Sequence, residues 1–429
     1  MEGVLTIFVI LVFIIVITRV LNEKIFKISD NIALLIFSFM ISIIFLLGIK
    51  FNIIDDNVFI FSSLNKLRID KLLLEGVLCF MLFAGASKLQ FSKFVSNFKS
   101  ISFLSLLTTT INTIIYGGLF FGISSIFNMN ISFIKCLLIG CIISPTDPIA
   151  ATSILNKLGL PKGISSVIEG ESLFNDGIGV ALFVFVENII TSANNGNFLL
   201  LVSKSLFGSI FIGLVISFIM FKLLKQTKDP NLHILISLLD VSLCYVLCEH
   251  FGMSGVIASV VCGIYFSYEN KKCERWRIVV DSNNLYNDFW NIIDELLNSI
   301  LFVLIGLTAT IIPINDRIIY LIPIAIIVNF VSRYFSVYST CLLLGKESIP
   351  NKYSLKDFTT LMTFSALRGG LSLAMAFSAS AILSDGEYNI VLNITMITIL
   401  FTTIIQGMII PCVYKRIEKK KTGKELVKI

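Results

Sequence analysis

Apolar runs of roughly 18 or more residues recur along the whole chain, and each is long enough to cross the hydrocarbon core of a bilayer. Of the 429 residues, 56% are hydrophobic and 14% are charged, whereas a soluble domain carries about 25% charge. We therefore expect an all-α polytopic membrane protein, because a helix satisfies its own backbone groups within lipid. Met1 and Glu2 precede the first run without a basic region, which favours a spanning helix over a cleaved signal peptide.

The pattern predicts about 13 transmembrane helices, which together make a transmembrane domain over residues 1–414. A short basic tail follows over residues 415–429. The predicted segments are 3–21, 31–48, 70–87, 100–126, 132–156, 163–191, 199–224, 231–249, 252–268, 288–312, 317–345, 357–383 and 388–413.

Lysine and arginine residues are divided unequally between the two sets of alternate loops. The tail and the loops on its side hold 25 of them, the opposite loops hold six, and three lie within spans. Cytoplasmic loops carry the excess of basic residues. We therefore expect a plasma-membrane protein with its N-terminus outside and its tail in the cytoplasm, and with no nucleic-acid partner.

Two polar clusters interrupt the apolar sequence between Gly140 and Gly179. Both lie inside segments that are long and apolar enough to span a bilayer. Charge is costly there, and it marks ion or proton paths more often than anything else. We therefore expect the function of the chain to depend on this stretch.

The first cluster breaks its own helix, within the segment 132–156. Pro145 and Pro148 each remove a backbone donor and disfavour helix just before them. Discontinuous helices of this kind build ion sites in secondary transporters, with carbonyl groups free to bind a cation. Thr146 would supply an oxygen and Asp147 a charge. The alternative is a proline kink in which Asp147 caps the second half-helix.

The second cluster lies within the segment 163–191 and contains two carboxylates. Ser172 and Asp176 are four residues apart and share one helix face, and Glu171 and Asn175 share the adjoining face. A hydroxyl one turn from a carboxylate supplies half of a hard-oxygen cation shell, and neighbouring carboxylates in low dielectric cannot both stay charged without a cation. The alternative is a helix-start capping pattern displaced into a loop.

Two arginines in the C-terminal third of the chain lie in apolar surroundings. Arg333 needs an anion, for which Glu171 is the candidate; the alternative is an arginine that snorkels to an interface. Arg368, followed by Gly369 and Gly370, suggests a second unwound helix, and the alternative is tight packing through glycines. The matching interruptions in the fifth and twelfth segments favour an inverted repeat of segments 1–6 and 8–13.

At these motifs the chain resembles the monovalent cation:proton antiporter family, which includes bacterial sodium/proton antiporters and animal sodium/proton exchangers. The matching stretches are 144–148, 170–177, 254–258, 295–298, 302–306, Arg333 and 367–370. The resemblance implies a homodimer of thirteen-helix chains with crossed, discontinuous helices 5 and 12. It also implies that Asp176 carries the cation or the proton.

The same resemblance assigns roles to the neighbouring residues. Thr146 and Ser172 would help to coordinate the ion, Asp147 would lie close, and Glu171 would pair with Arg333. Asn175 is predicted to be part of the same ion-binding set, and its place before Asp176 is similar to the electroneutral branch of the family. Many relatives carry an acid in the third segment, where this chain has Ala84, so a ligand from that segment is not expected.

We therefore predict a secondary antiporter that exchanges Na+, or Li+ or K+, for H+ across a lipid bilayer. Proton and cation would compete for Asp176, and no cofactor is expected. A cation channel or uniporter is the alternative, and it would need a continuous polar stripe along several helices. An intramembrane enzyme would need a histidine cluster or a recognisable base. The roles of Asp240 and Glu295 stay open between functional and structural.

Overall fold

The computed structural model describes residues 2–51, 76–88, 91–191, 198–275, 283–309, 316–345, 349 and 353–426. Regular structure in these ranges is helical. The N-terminal helices are α1 (Glu2–Leu21), α2 (Asp30–Lys50), α3 (Leu78–Ser87), α4 (Phe91–Ile126), α5 (Phe133–Ile143), α6 (Pro148–Lys157), α7 (Lys162–Thr191) and α8 (Phe198–Leu224). The C-terminal helices are α9 (Pro230–His250), α10 (Gly255–Arg275), α11 (Asn283–Thr308), α12 (Asp316–Leu344), α13 (Leu355–Ser365), α14 (Gly370–Ser378), α15 (Asp385–Leu400) and α16 (Gly407–Leu426).

The all-α polytopic architecture is confirmed. Within the described residues, nine helices are long and apolar enough to cross a membrane, and three shorter apolar helices accompany them. Every predicted segment contains a helix or a pair of helices, although parts of the segments 70–87 and 288–312 lie outside the described residues. The number of 13 crossing helices stays a prediction. Helix α16 extends into the basic tail as far as Leu426.

Large apolar side chains on the outer helices face away from the protein. Phe207 and Phe211 of α8 are 71% and 68% exposed, as lipid-facing residues would be. Inside the bundle, helices α4, α5 and α7 pack against one another. A Cβ at Gly140 would collide with the carbonyl of Thr113, so α4 and α5 approach closely because this position has no side chain.

Both predicted helix breaks are present. Residues 144–147 separate α5 from α6, and residues 366–369 separate α13 from α14. The two extended stretches meet as an isolated antiparallel bridge, in which the backbone N–H of Asp147 donates to the carbonyl of Leu367 at 2.8 Å. The breaks therefore satisfy part of each other's backbone inside the bundle, as irregular backbone at membrane depth requires. The crossing of the two helices and the inverted repeat stay predictions.

Candidate ion-binding site

The first break is anchored on its N-terminal side by hydroxyl contacts. Ser144 is 1% exposed, and its hydroxyl lies 2.9 Å from the hydroxyl of Thr113 and accepts from the amide of Asn112 at 3.0 Å. A gap of four residues separates α5 from α6, which is a full interruption rather than a proline kink. Ser144 and its partners on α4 therefore fix the start of the extended stretch.

Arg368 satisfies the carbonyl groups that the first break releases. Its guanidinium donates to the carbonyl of Ser144 at 2.6 Å and to that of Pro145 at 2.9 Å. Asn329 of α12 holds the other side of the guanidinium, at 2.9 Å from Nη2. The sequence pattern predicted loose carbonyls that could bind a cation. In the structure both carbonyls already accept from the guanidinium of Arg368, which is 1% exposed.

Asp147 lies against the start of α14. A Cβ at Gly369 would stand 2.9 Å from Cβ of Asp147 and 3.1 Å from its Oδ2, so only a glycine leaves room for the carboxylate there. The backbone N–H groups at a helix N-terminus favour a nearby negative charge. The glycines of the second break therefore allow the acid of the first to approach a helix start, while Gly370 packs on Leu301.

A hydrogen-bond network joins the first break to α7. The amide of Asn175 donates to Oγ1 of Thr146 at 2.6 Å, and the backbone N–H of Thr146 donates to Oδ1 of Asn175 at 3.1 Å. Ser172 donates to the carbonyl of Thr146 and lies 3.0 Å from its hydroxyl. Because α7 is continuous from Lys162 to Thr191, this cluster sits within a helix and is not a displaced capping pattern.

Glu171 and Arg333 form a buried ion pair. Two guanidinium nitrogens of Arg333 each donate to a carboxylate oxygen of Glu171 at 3.0 Å, and both side chains are 2% exposed. Thr108 adds a third donor to Glu171 at 3.2 Å. Arg333 is therefore buried on an anion and does not snorkel to an interface.

A cavity of about 220 Å³ opens beside these networks. This volume is far above the roughly 10–15 Å³ that a single water requires. Its lining includes Thr146, Asp147 and Asp176 together with two further acids, Glu169 and Asp294. One face of α7 presents Glu169, Leu173 and Asp176 to it. The cavity therefore gathers carboxylate and hydroxyl oxygens, the ligands that hard cations prefer.

Residues 8–416 match the family described as sodium/hydrogen exchanger, transmembrane. The chain belongs to the sodium/hydrogen exchanger family. It is 30% identical over 362 residues to the Na+/H+ antiporter NhaP of Pseudomonas aeruginosa, covering 82% of this chain and 83% of that protein. It is also 31% identical over 307 residues to the sodium, potassium, lithium and rubidium/H+ antiporter of Bacillus subtilis, covering 64% of this chain and 44% of that protein.

The fold also matches a solved structure. The sodium proton antiporter MjNhaP1 from Methanocaldococcus jannaschii superposes with a TM-score of 0.73 at 18% identity, over 97% of this chain and 99% of that one. The monovalent cation:proton antiporter resemblance of the motifs is thereby confirmed, and the family to which the chain belongs is one of transporters.

Several residues of this candidate site were not singled out from the sequence. Asn329 holds Arg368, and Gln406 donates to the carbonyl of Phe364 at 2.8 Å, next to the second break. Glu169 and Asp294 line the cavity. All four are polar residues within apolar segments, which is the one signal that could have found them.

The acids left open by the sequence have partners away from Asp176. Asp240 is fully buried and accepts from the hydroxyl of Ser217 at 2.8 Å, and Glu295 pairs with Arg19. Ala84, where a ligand was not expected, is likewise part of the packing. It is fully buried with Phe83 in the contact between α3 and α10. Helix α3 faces the cavity with other positions, Met81, Leu82 and Gly85, and Lys88, which follows the helix, also lines it.

Proposed function

We propose that this chain is a secondary antiporter that exchanges a monovalent cation, Na+ with Li+ or K+ as alternatives, for H+ by alternating access. The observation that carries the proposal is the cavity at the helix break, which Asp176 and Asp147 line together with Thr146. The names of the relatives, among them Na+/H+ antiporters and one sodium, potassium, lithium and rubidium/H+ antiporter, support the substrate class.

Asp176 binds the cation and the proton in turn. Its side chain is 9% exposed and it faces the cavity. A buried carboxylate needs a positive partner, and a monovalent cation or a proton would each remove its charge. Because one group serves both substrates, each displaces the other, and the protein would reorient only when one of them is bound.

The two buried arginines keep the other charges of the site constant. Glu171 accepts two hydrogen bonds from Arg333, so the fold itself supplies the counter-charge of this carboxylate. Arg368 stays charged on carbonyl groups because a guanidinium does not readily lose its proton. Asp176, with Asp147 beside it at the cavity, is then the acid whose charge changes during exchange.

Ser172 and Asn175 would act behind Thr146. Both hydrogen-bond to Thr146 and so fix the orientation of the oxygen atoms that it presents. Ligands held by such supporting contacts bind a metal ion more tightly than mobile ones. We further propose that the protein is a homodimer in the plasma membrane, with its N-terminus outside and the basic tail in the cytoplasm.

The test is cation-driven proton movement in proteoliposomes of purified protein. With a trapped pH dye, addition of Na+, Li+ or K+ outside should make the lumen more alkaline, because internal H+ leaves as the cation enters. An ionophore that abolishes the membrane potential distinguishes coupled exchange from cation entry through a channel. Exchange through this site should survive it, whereas cation entry without coupled proton movement would indicate a channel and overturn the proposal.

A further inference from the structure

Ser372 differs from the other hydroxyl groups around the cavity. It lies in the first turn of α14, it is 1% exposed, and it lines the same cavity as Asp147 and Asp176. Its Oγ has no hydrogen-bond partner among the described residues. Most buried hydroxyl groups are satisfied. Among the described hydroxyl groups that lack a partner, Ser372 is the one that lines this cavity, where a bound ion would supply the missing contact.

The position of Ser372 in its helix explains why the backbone does not satisfy it. Many buried serines and threonines inside the helices donate to the carbonyl three or four residues back, as Thr402 does to Thr398 at 2.8 Å. For Ser372 that carbonyl belongs to Arg368, which precedes the helix and accepts from Thr403 at 3.1 Å. The hydroxyl of Ser372 makes no such bond, and the residue lies in the lining of the cavity.

The hydroxyl that the sequence singled out is already engaged. Ser172 donates to the carbonyl of Thr146, and the hydroxyl of Thr146 accepts from the amide of Asn175 at 2.6 Å. These contacts hold the three residues to one another. Ser372, in contrast, has both lone pairs and its proton uncommitted within the described part of the chain.

We propose that Oγ of Ser372 is a further ligand of the transported cation. The inference rests on the proposed function and adds a ligand from α14 to carboxylates supplied by α7 and by the first break. A hydroxyl coordinates a hard cation through a lone pair, and its proton then points to water or to a cavity carboxylate. Binding would thereby join the second broken helix to the first, so that both respond to occupancy of the site.

The test compares two serines that differ in one respect. Ser365, at the end of α13, is 3% exposed and also lacks a partner among the described residues, but it is not part of the cavity lining. Each is changed to alanine in the full chain and reconstituted. The half-saturating concentration and the maximal rate are then measured for Li+, Na+ and K+ at one fixed pH.

For Ser372→Ala we expect the half-saturating Na+ concentration to rise about tenfold, as for the loss of one ligand, with a smaller rise for K+. The maximal rate should change much less, and Ser365→Ala should match the wild type. Ser372→Thr keeps the hydroxyl and should restore Na+ affinity. Ser372→Cys keeps the size but replaces a hard oxygen with sulfur, so it should show the same rise in half-saturating Na+ concentration. It takes the place of the alanine variant if that variant does not fold.

Two results would overturn the inference. One is an unchanged half-saturating concentration in folded Ser372→Ala or Ser372→Cys. The other is an equal rise for all three cations together with a shifted pH profile, which would make Ser372 a group that positions a carboxylate.

If the wild type itself does not exchange, the proposed function fails. Stabilisation of the detergent-purified protein by Na+ then decides the ligand role without transport, since absence of a Ser372-dependent melting shift would exclude it.

Discussion

The two buried carboxylates of α7 are five residues apart, yet their surroundings are opposite. Glu171 is enclosed by Arg333 and Thr108, whose hydrogen bonds to the carboxylate measure 3.0 to 3.2 Å. Asp176 faces a cavity that is large enough for water and that holds further acids. Removing a proton or cation from Asp176 therefore leaves a charge that a mobile ion can neutralise, whereas the charge of Glu171 is neutralised by the fold. Under the proposed mechanism, the same residue class serves exchange in one place and stability in the other.

The largest effect should follow from removing the exchangeable charge. Asp176→Asn keeps the shape of the side chain but cannot take up or release a proton, so we expect exchange to be lost while the protein stays folded. Asp240→Asn is the matched control, because Asp240 is also buried but is bonded to Ser217, away from the cavity. Dye-based transport by both variants in proteoliposomes, with melting curves in detergent, makes the comparison. Wild-type rates in Asp176→Asn would end the single-carboxylate mechanism.

Breaking the buried pair of Glu171 and Arg333 should lower the stability of the protein. Glu171→Gln or Arg333→Gln each leaves one uncompensated buried charge, and we expect each to destabilise the protein by about 3–5 kcal/mol. The double variant should lose less than the sum of the two, because no charge is then left alone. Denaturation in detergent of the four proteins gives the coupling energy. Additive losses would mean that the two side chains act independently.

The contrast between the two acids also predicts a pH dependence. Protons occupy the site more fully as pH falls, so the half-saturating cation concentration should rise about tenfold per pH unit on the acid side of the titration of Asp176. The maximal rate should change much less, since saturating cation displaces the proton. A pH series in proteoliposomes with fixed internal pH measures both quantities. A half-saturating concentration that stays constant as the medium is acidified would show that cation and proton use different groups.

Much of this contrast could be predicted from the sequence, because it depends on local spacing. Pro145 and Pro148 placed the first break to within a residue or two. That Ser172 and Asp176 form one ion-binding face stays a prediction, since Asp176 lines the cavity whereas Ser172 is hydrogen-bonded to Thr146. The pair of Glu171 and Arg333 could be proposed because charges within apolar segments need partners and few candidates exist. Local rules and the cost of charge in lipid were sufficient for these features.

The remaining features depend on how distant segments meet. No spacing rule brings Arg368 to the carbonyls of Ser144 and Pro145, more than 200 residues earlier in the chain. The lack of a partner for the hydroxyl of Ser372 also depends on distant contacts. The carbonyl of Arg368, four residues earlier, accepts from Thr403 of another segment. Glu169 was passed over because its cavity position depends on packing of α7 against helices far away in sequence.

The smallest predicted effect concerns the one basic side chain among the described residues that line the cavity. Lys88 is paired with Asp294 at 2.6 Å and is 32% exposed, so its field is partly screened by solvent. Lys88→Gln should lower the half-saturating Na+ concentration by about two- to threefold at low ionic strength, because it removes repulsion of an incoming cation. The effect should fade when a large inert cation raises ionic strength to about 0.15 M, where the Debye length is near 8 Å.

Lys225→Gln, which breaks a similar pair with Glu269 away from the cavity, should leave the affinity unchanged. Equal shifts in both variants would mean that overall charge, rather than the charge at the cavity, sets cation affinity.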